Sequence, residues 1–106
     1  MNFNEYQDQA QRTAVYKREH DVPYLALGLG NEAGEVQGVV KKYLRGDYGL
    51  VHMGNELLDE MGDVLWYLSE LARAAGWSLD DVAQENLRKL ASRSARGTIK
   101  GDGDKR

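Results

Sequence analysis

Two short acidic clusters sit inside apolar helical patterns of this chain: Glu32-Ala33-Gly34-Glu35 and Glu60-Met61-Gly62-Asp63. In each, two carboxylates stand three residues apart, so on a helix they share one face. Like charges so placed repel by a few tenths of a kcal/mol on an exposed helix, and partial burial raises the cost. Glu32 falls within the series Leu29, Val36, Val39, where the period calls for a core residue. One such pair is usually a solvated helix face. Two pairs on consecutive helices of a small domain call for a cation between them. Carboxylate-only donor sets suit magnesium, manganese or calcium over zinc or copper. A di-iron bundle needs Glu-x-x-His on two helices, and neither His20 nor His52 has that spacing.

At 106 residues the chain reads as one domain with a modest core that gains from self-association. Its net charge of -3 gives no reason to expect a nucleic-acid partner. It has no cysteine, which excludes disulfides and thiolate metal sites. No apolar run is long enough to span a bilayer, and the N-terminal residues do not resemble a signal peptide. The expectation is a cytoplasmic protein that engages no membrane. A single proline, Pro23, and the scarcity of strand-type runs favour an all-α fold.

The spacing predicts a first helix over about 4–19, with Phe3, Tyr6, Ala10, Thr13 and Ala14 on one face and Asn2 or Asn4 as N-cap. A break follows at 20–23, since proline disfavours helix in the residue before it. A second helix runs from Pro23 or Tyr24 to Arg45, with Leu25, Leu29, Val36, Val39, Val40 and Tyr43 on its buried side. Residues 46–54 read as a loop. The third helix covers about 55–75 and ends at Gly76. It has a wide apolar face and an adjacent stripe of Glu56, Glu60, Asp63, Tyr67 and Glu70. Ser78 followed by two acids marks the start of a fourth helix, to about Ala95, with Val82, Ala83, Leu87, Leu90 and Ala91 inward. Asn86, Lys89 and Arg93 form its polar stripe. The domain therefore spans 1–95, and 96–106 reads as a mobile Gly-, Asp- and Lys-rich tail.

Outside the acids the signals are weaker. Trp66 and Tyr67 have the chemistry to stack on a base, but aromatics in long apolar helices are more often core. Lys89 and Arg93 suit either a phosphate or a solvated face, with Asn86 on the same stripe. Lys42, beside Lys41 near the end of the second helix, suits the helix dipole as well as it suits phosphate.

The runs Tyr24 to Val36 and Glu56 to Leu68 resemble the MazG-like nucleoside triphosphate pyrophosphohydrolase family. That family's signature is Glu-x-x-Glu, a spacer, then Glu-x-x-Asp. Glu32 and Glu35 match the first half, Glu60 and Asp63 the second, and the 24 residues from Val36 to Asp59 are the spacer. The last helix, from Asn86 through Arg93, is similar too. Asn31 departs from the pattern, since many relatives carry a third acid there; the number of metal ions is thereby left open.

The resemblance implies an all-α bundle of four to five helices, of the all-α NTP pyrophosphatase type, assembling as a dimer or a dimer of dimers. It implies magnesium- or manganese-dependent cleavage of a nucleoside triphosphate between the α- and β-phosphates. Glu32, Glu35, Glu60 and Asp63 then hold the metal, and Glu35 and Glu32 are the catalytic candidates. Asn86, Lys89, Arg93 and Lys42 are the candidates for substrate contacts. The alternative is a non-catalytic helical module that binds metal or nucleotide. A helical DNA-binding or antitoxin-like module is disfavoured by the acidic balance and the lack of a basic recognition helix.

Overall fold

A computed structural model describes all 106 residues. Its order is α1 (Phe3–Gln11), a single 3₁₀ turn (Arg18–His20), α2 (Asp21–Arg45), α3 (Leu50–Ala74) and α4 (Leu79–Ala95), with no strand. The all-α expectation holds, with four α-helices.

The frame is the hairpin of α2 and α3. Each is 25 residues, roughly 37 Å at 1.5 Å per residue. The turn between them is short because Gly46 adopts φ +91° and its N–H caps the carbonyls of Lys42 and Tyr43. Glycine reaches that left-handed region without a Cβ penalty. Lower in the hairpin, Tyr67 of α3 packs into the space left by Gly28 of α2.

Two polar anchors tie α1 and its trailing segment to this hairpin. Gln7 is buried. Its Nε2 donates to the carbonyls of Ser69 and Trp77, each at 3.2 Å, and its Oε1 accepts from the Leu79 N–H at 3.2 Å. The second anchor is Glu70, fully buried on α3. It accepts from the Tyr16 hydroxyl at 2.9 Å and from Arg73, while Arg18 lies over the Tyr16 ring. A buried carboxylate survives because it is paired and hydrogen-bonded. Both α1 and α4 open on a capping box, Asn2 with Glu5 and Ser78 with Asp81.

Three boundaries differ from the sequence reading. The first helix ends at Gln11, not near residue 19. Thr13 Oγ1 donates to the Ala10 carbonyl at 2.7 Å and accepts from Trp66 Nε1 at 2.8 Å. Such local side-chain bonds compete with helix, and Tyr16 draws the chain onto Glu70. The second helix starts at Asp21, upstream of Pro23. Proline in the first turn lacks an N–H that would be unpaired there anyway. The loop expected over 46–54 is confined to 46–49, and Gly54 lies inside α3.

α4 differs most. It touches α1 and α3 but not α2. Val82, Leu87 and Leu90, expected inward, are exposed, Leu87 at 66%, while Arg93 from the polar stripe is buried. Only Ala10, Leu25, Val39, Ala72 and Leu79 form a buried apolar core. The radius of gyration is 16.5 Å, against about 13 Å for a compact domain of this length. One chain therefore does not close its own core, because α4 swings off the hairpin. Residues 96–106 lie back along α4: Arg106 donates to the carbonyls of Thr98 and Ile99, and Lys89 and Arg93 both reach Asp104.

Candidate metal centre

α2 and α3 bring three of the four acids together. Glu32, Glu60 and Asp63 each present a carboxylate oxygen, and these lie within 4.8 Å of one another. Glu60 and Asp63 are one helical turn apart on α3, and Glu32 faces them from α2. Glu32 and Glu60 are half-buried, and Asp63 is exposed. No lysine, arginine or histidine forms an ion pair with any of them. Glu35 contributes no oxygen to the group of three, but its charge acts on both Glu32 and Glu60.

The electrostatics follow from that crowding. Burial, then the charges of Asp63 and Glu35, raise the Glu32 carboxyl above the usual value. Burial, then Asp63, Glu35, Glu32 and Glu56, raise Glu60 in the same direction. Tyr67, one turn beyond Asp63, has its phenol pushed up by burial, by Tyr24 and by Glu32 and Asp63. Converging carboxylates with no cation among them make an oxygen-only donor set, which fits a hard divalent ion.

The other candidates lie elsewhere. Lys42 is exposed near the end of α2. Asn86 lines an open hollow of about 870 Å³ that runs from Trp77 to Lys89 on α4. Lys89 and Arg93 face a second hollow of about 300 Å³ on the same helix. Neither hollow contains the acids, and α4 makes no contact with α2. Within one chain the acids thus lie outside both hollows of α4. Glu70 and Gln7 carry the structural roles that the sequence reading did not assign. Glu70 sat in the polar stripe of α3, and only Tyr16, 54 residues away, reveals it as a buried anchor.

Helices of this order, with paired acids on the two long ones, define a class of small all-α domains with an acidic centre. The chain matches the MazG nucleotide pyrophosphohydrolase domain over residues 22–97 and belongs to that family. It is 41% identical to the Gene 37 protein of Mycobacterium phage L5 over 114 aligned positions, covering all of both chains. It is 34% identical to the uncharacterized protein YvdC of Bacillus subtilis (strain 168) over 79 positions, 67% of this chain and 74% of that one. No solved structure gives a significant match. No helix is long and apolar enough to cross a membrane.

Proposed function

We propose that this protein hydrolyses a nucleoside triphosphate, ribo- or deoxyribo-, between the α- and β-phosphates, releasing the monophosphate and pyrophosphate. The observation that carries the reading is the convergence of Glu32, Glu60 and Asp63 from two helices with no cation of the chain among them. Family membership supports the same reaction class. Glu32, Glu60 and Asp63, with Glu35 beside them, would hold magnesium or manganese. A bound ion of that kind offsets triphosphate charge and lowers the pKa of a water.

The chain's own residues supply the rest. Glu35 and Glu32 are our candidates to take a proton from the attacking water. Lys89, Arg93 and Lys42 would offset the phosphate charge, and Asn86 would donate a hydrogen bond. Since neither hollow of α4 takes in the acids, Lys89 and Arg93 would come to them from a second copy. A homodimer or dimer of dimers also supplies cover for Leu27, Leu44, Leu58 and Leu87, each more than 60% exposed. The acidic balance and absent membrane span fit a cytoplasmic nucleotide enzyme.

The test is product analysis of a nucleotide panel with magnesium, wild type beside Asp63→Asn and Glu35→Gln. Monophosphate and pyrophosphate are expected from wild type, and a loss of about 100-fold or more in kcat from each variant. Helical circular dichroism should stay unchanged. Diphosphate as first product, or full activity in both variants, overturns the reading.

A further inference from the structure

Arg93 is 6% exposed, an uncommon place for a guanidinium. Its Nη2 donates to the Asp104 side chain at 3.0 Å and to the Asp104 carbonyl at 2.7 Å. Its buried Nε finds no acceptor in the chain. Lys89 Nζ donates to the same carboxylate at 2.7 Å. The hollow they face, about 300 Å³, is lined also by Arg88, Arg96, Lys105 and Arg106. Six cations therefore line the hollow against two exposed carboxylates, Asp104 and the Arg88-paired Glu85, and one buried donor stays unused. A buried donor without an acceptor is costly. An anion with more oxygens than a carboxylate, such as a phosphate chain, would satisfy the set better.

Asp104 reaches this place only because 97–103 bends back on α4. Gly97, Gly101 and Gly103 all have positive φ, and Arg106 clasps the bend through the carbonyls of Thr98, Ile99 and Gly103. Asp104 itself is 69% exposed, so water and ions reach the pair from outside.

We infer that Asp104 is an intramolecular competitor for a phosphoanion site made by Lys89 and Arg93, and that the C-terminal segment lifts when a polyphosphate binds there. The inference rests on the reading of those two residues as phosphate contacts, and it adds regulation of that contact by the chain itself. Asp104 is exposed, so its pairing with Lys89 and Arg93 is screened by water and yields to a modest competitor. Its removal should therefore tighten a competing anion about three- to fivefold.

Titration calorimetry of the full chain with inorganic tripolyphosphate, in chelator so that the acids take no part, tests this. Asp104→Asn should bind about three- to fivefold tighter than wild type. Asp102→Asn, which removes an equal charge from an unpaired neighbour, should match wild type. In hydrolysis assays Asp104→Asn should lower KM by a similar factor and leave kcat unchanged. Equal affinities for all three proteins, equal tightening by both substitutions, or no tripolyphosphate binding at all would overturn the inference. Absence of nucleotide hydrolysis beside a selective Asp104→Asn effect on tripolyphosphate would sink the hydrolase reading and leave the competitor standing.

Discussion

Gly28→Ala should destabilise the protein, against the usual expectation for a glycine inside a helix. A Cβ at residue 28 would lie 2.1, 2.5 and 2.6 Å from Cε1, Cδ1 and Cζ of Tyr67. Carbon atoms pack best at about 3.5–4.0 Å, so the ring must retreat by roughly 1.5 Å. It cannot do so freely, because Trp66 stands edge-on to it with centroids 5.0 Å apart and Tyr24 closes the other side at 6.5 Å. Overpacking of this kind costs about 1–3 kcal/mol. Alanine returns about 1 kcal/mol in helix propensity. The net loss is then about 1 kcal/mol, or a fall in Tm of about 4–8 °C for a chain this size. Urea titration gives the stability directly. A double-mutant cycle with Tyr67→Leu isolates the clash: once the ring is gone, Gly28→Ala should become neutral or stabilising, with a coupling of about 2 kcal/mol. A Gly28→Ala protein as stable as wild type, or a coupling below about 0.5 kcal/mol, refutes the argument. The contact lies one turn from Asp63 and Glu32, so a displaced Tyr67 should also weaken magnesium binding.

Glu32 and Glu60 hold their protons above the ordinary value of 4.5, so the folded state binds protons more tightly there than the unfolded chain. Their contribution is complete below that value and is lost as pH rises through the raised one. In chelator the Tm should therefore decline as pH climbs from 4.5, less so in Glu60→Gln, while millimolar magnesium should reverse the decline; superimposable pH profiles for the two proteins would contradict it. Self-association should give a light-scattering mass above the 11.9 kDa of one chain at micromolar concentration, and Leu58→Glu, at a position 68% exposed, should lower it. A monomeric mass for wild type removes the case for a shared site.

The parts of the fold written locally were legible in the sequence. Ser78 caps α4 as expected, with Asp81 completing a capping box, Asn2 caps α1, and the apolar period places α2 and α3. The meeting of Glu32 with Glu60 and Asp63 was legible only in part: a helical period fixes which residues of one helix share a face, yet Glu35, expected with Glu32, stays out of the group. What failed depends on distant partners. Thr13 and Ala14 continue the helical period, yet Trp66 and Glu70 redirect that segment. The period of α4 sorts Leu87 inward and Arg93 outward, and the structure does the reverse. The helix is positioned by α1 and α3 rather than by its own amphipathicity, and much of its apolar stripe, Leu87 above all, is left exposed. Pairing of Lys89 and Arg93 with Asp104 was equally hidden, because composition marks 96–106 as a tail without saying where it returns.

The Gln7 anchor bears on the order in which the chain assembles. The α2–α3 hairpin closes through a four-residue turn and needs little loop entropy. Gln7 instead waits for acceptors and a donor 62, 70 and 72 residues away, and those groups are in register only once α3 has ended and α4 has begun. Contacts of such separation form late, after the loop they close has been shortened by prior structure. α1 is thus the last element to dock and the first to leave. In hydrogen exchange its amides should open at a lower free energy than those at the centre of the hairpin, and each opening would strip the shared cover from Ser69 and Leu79 together.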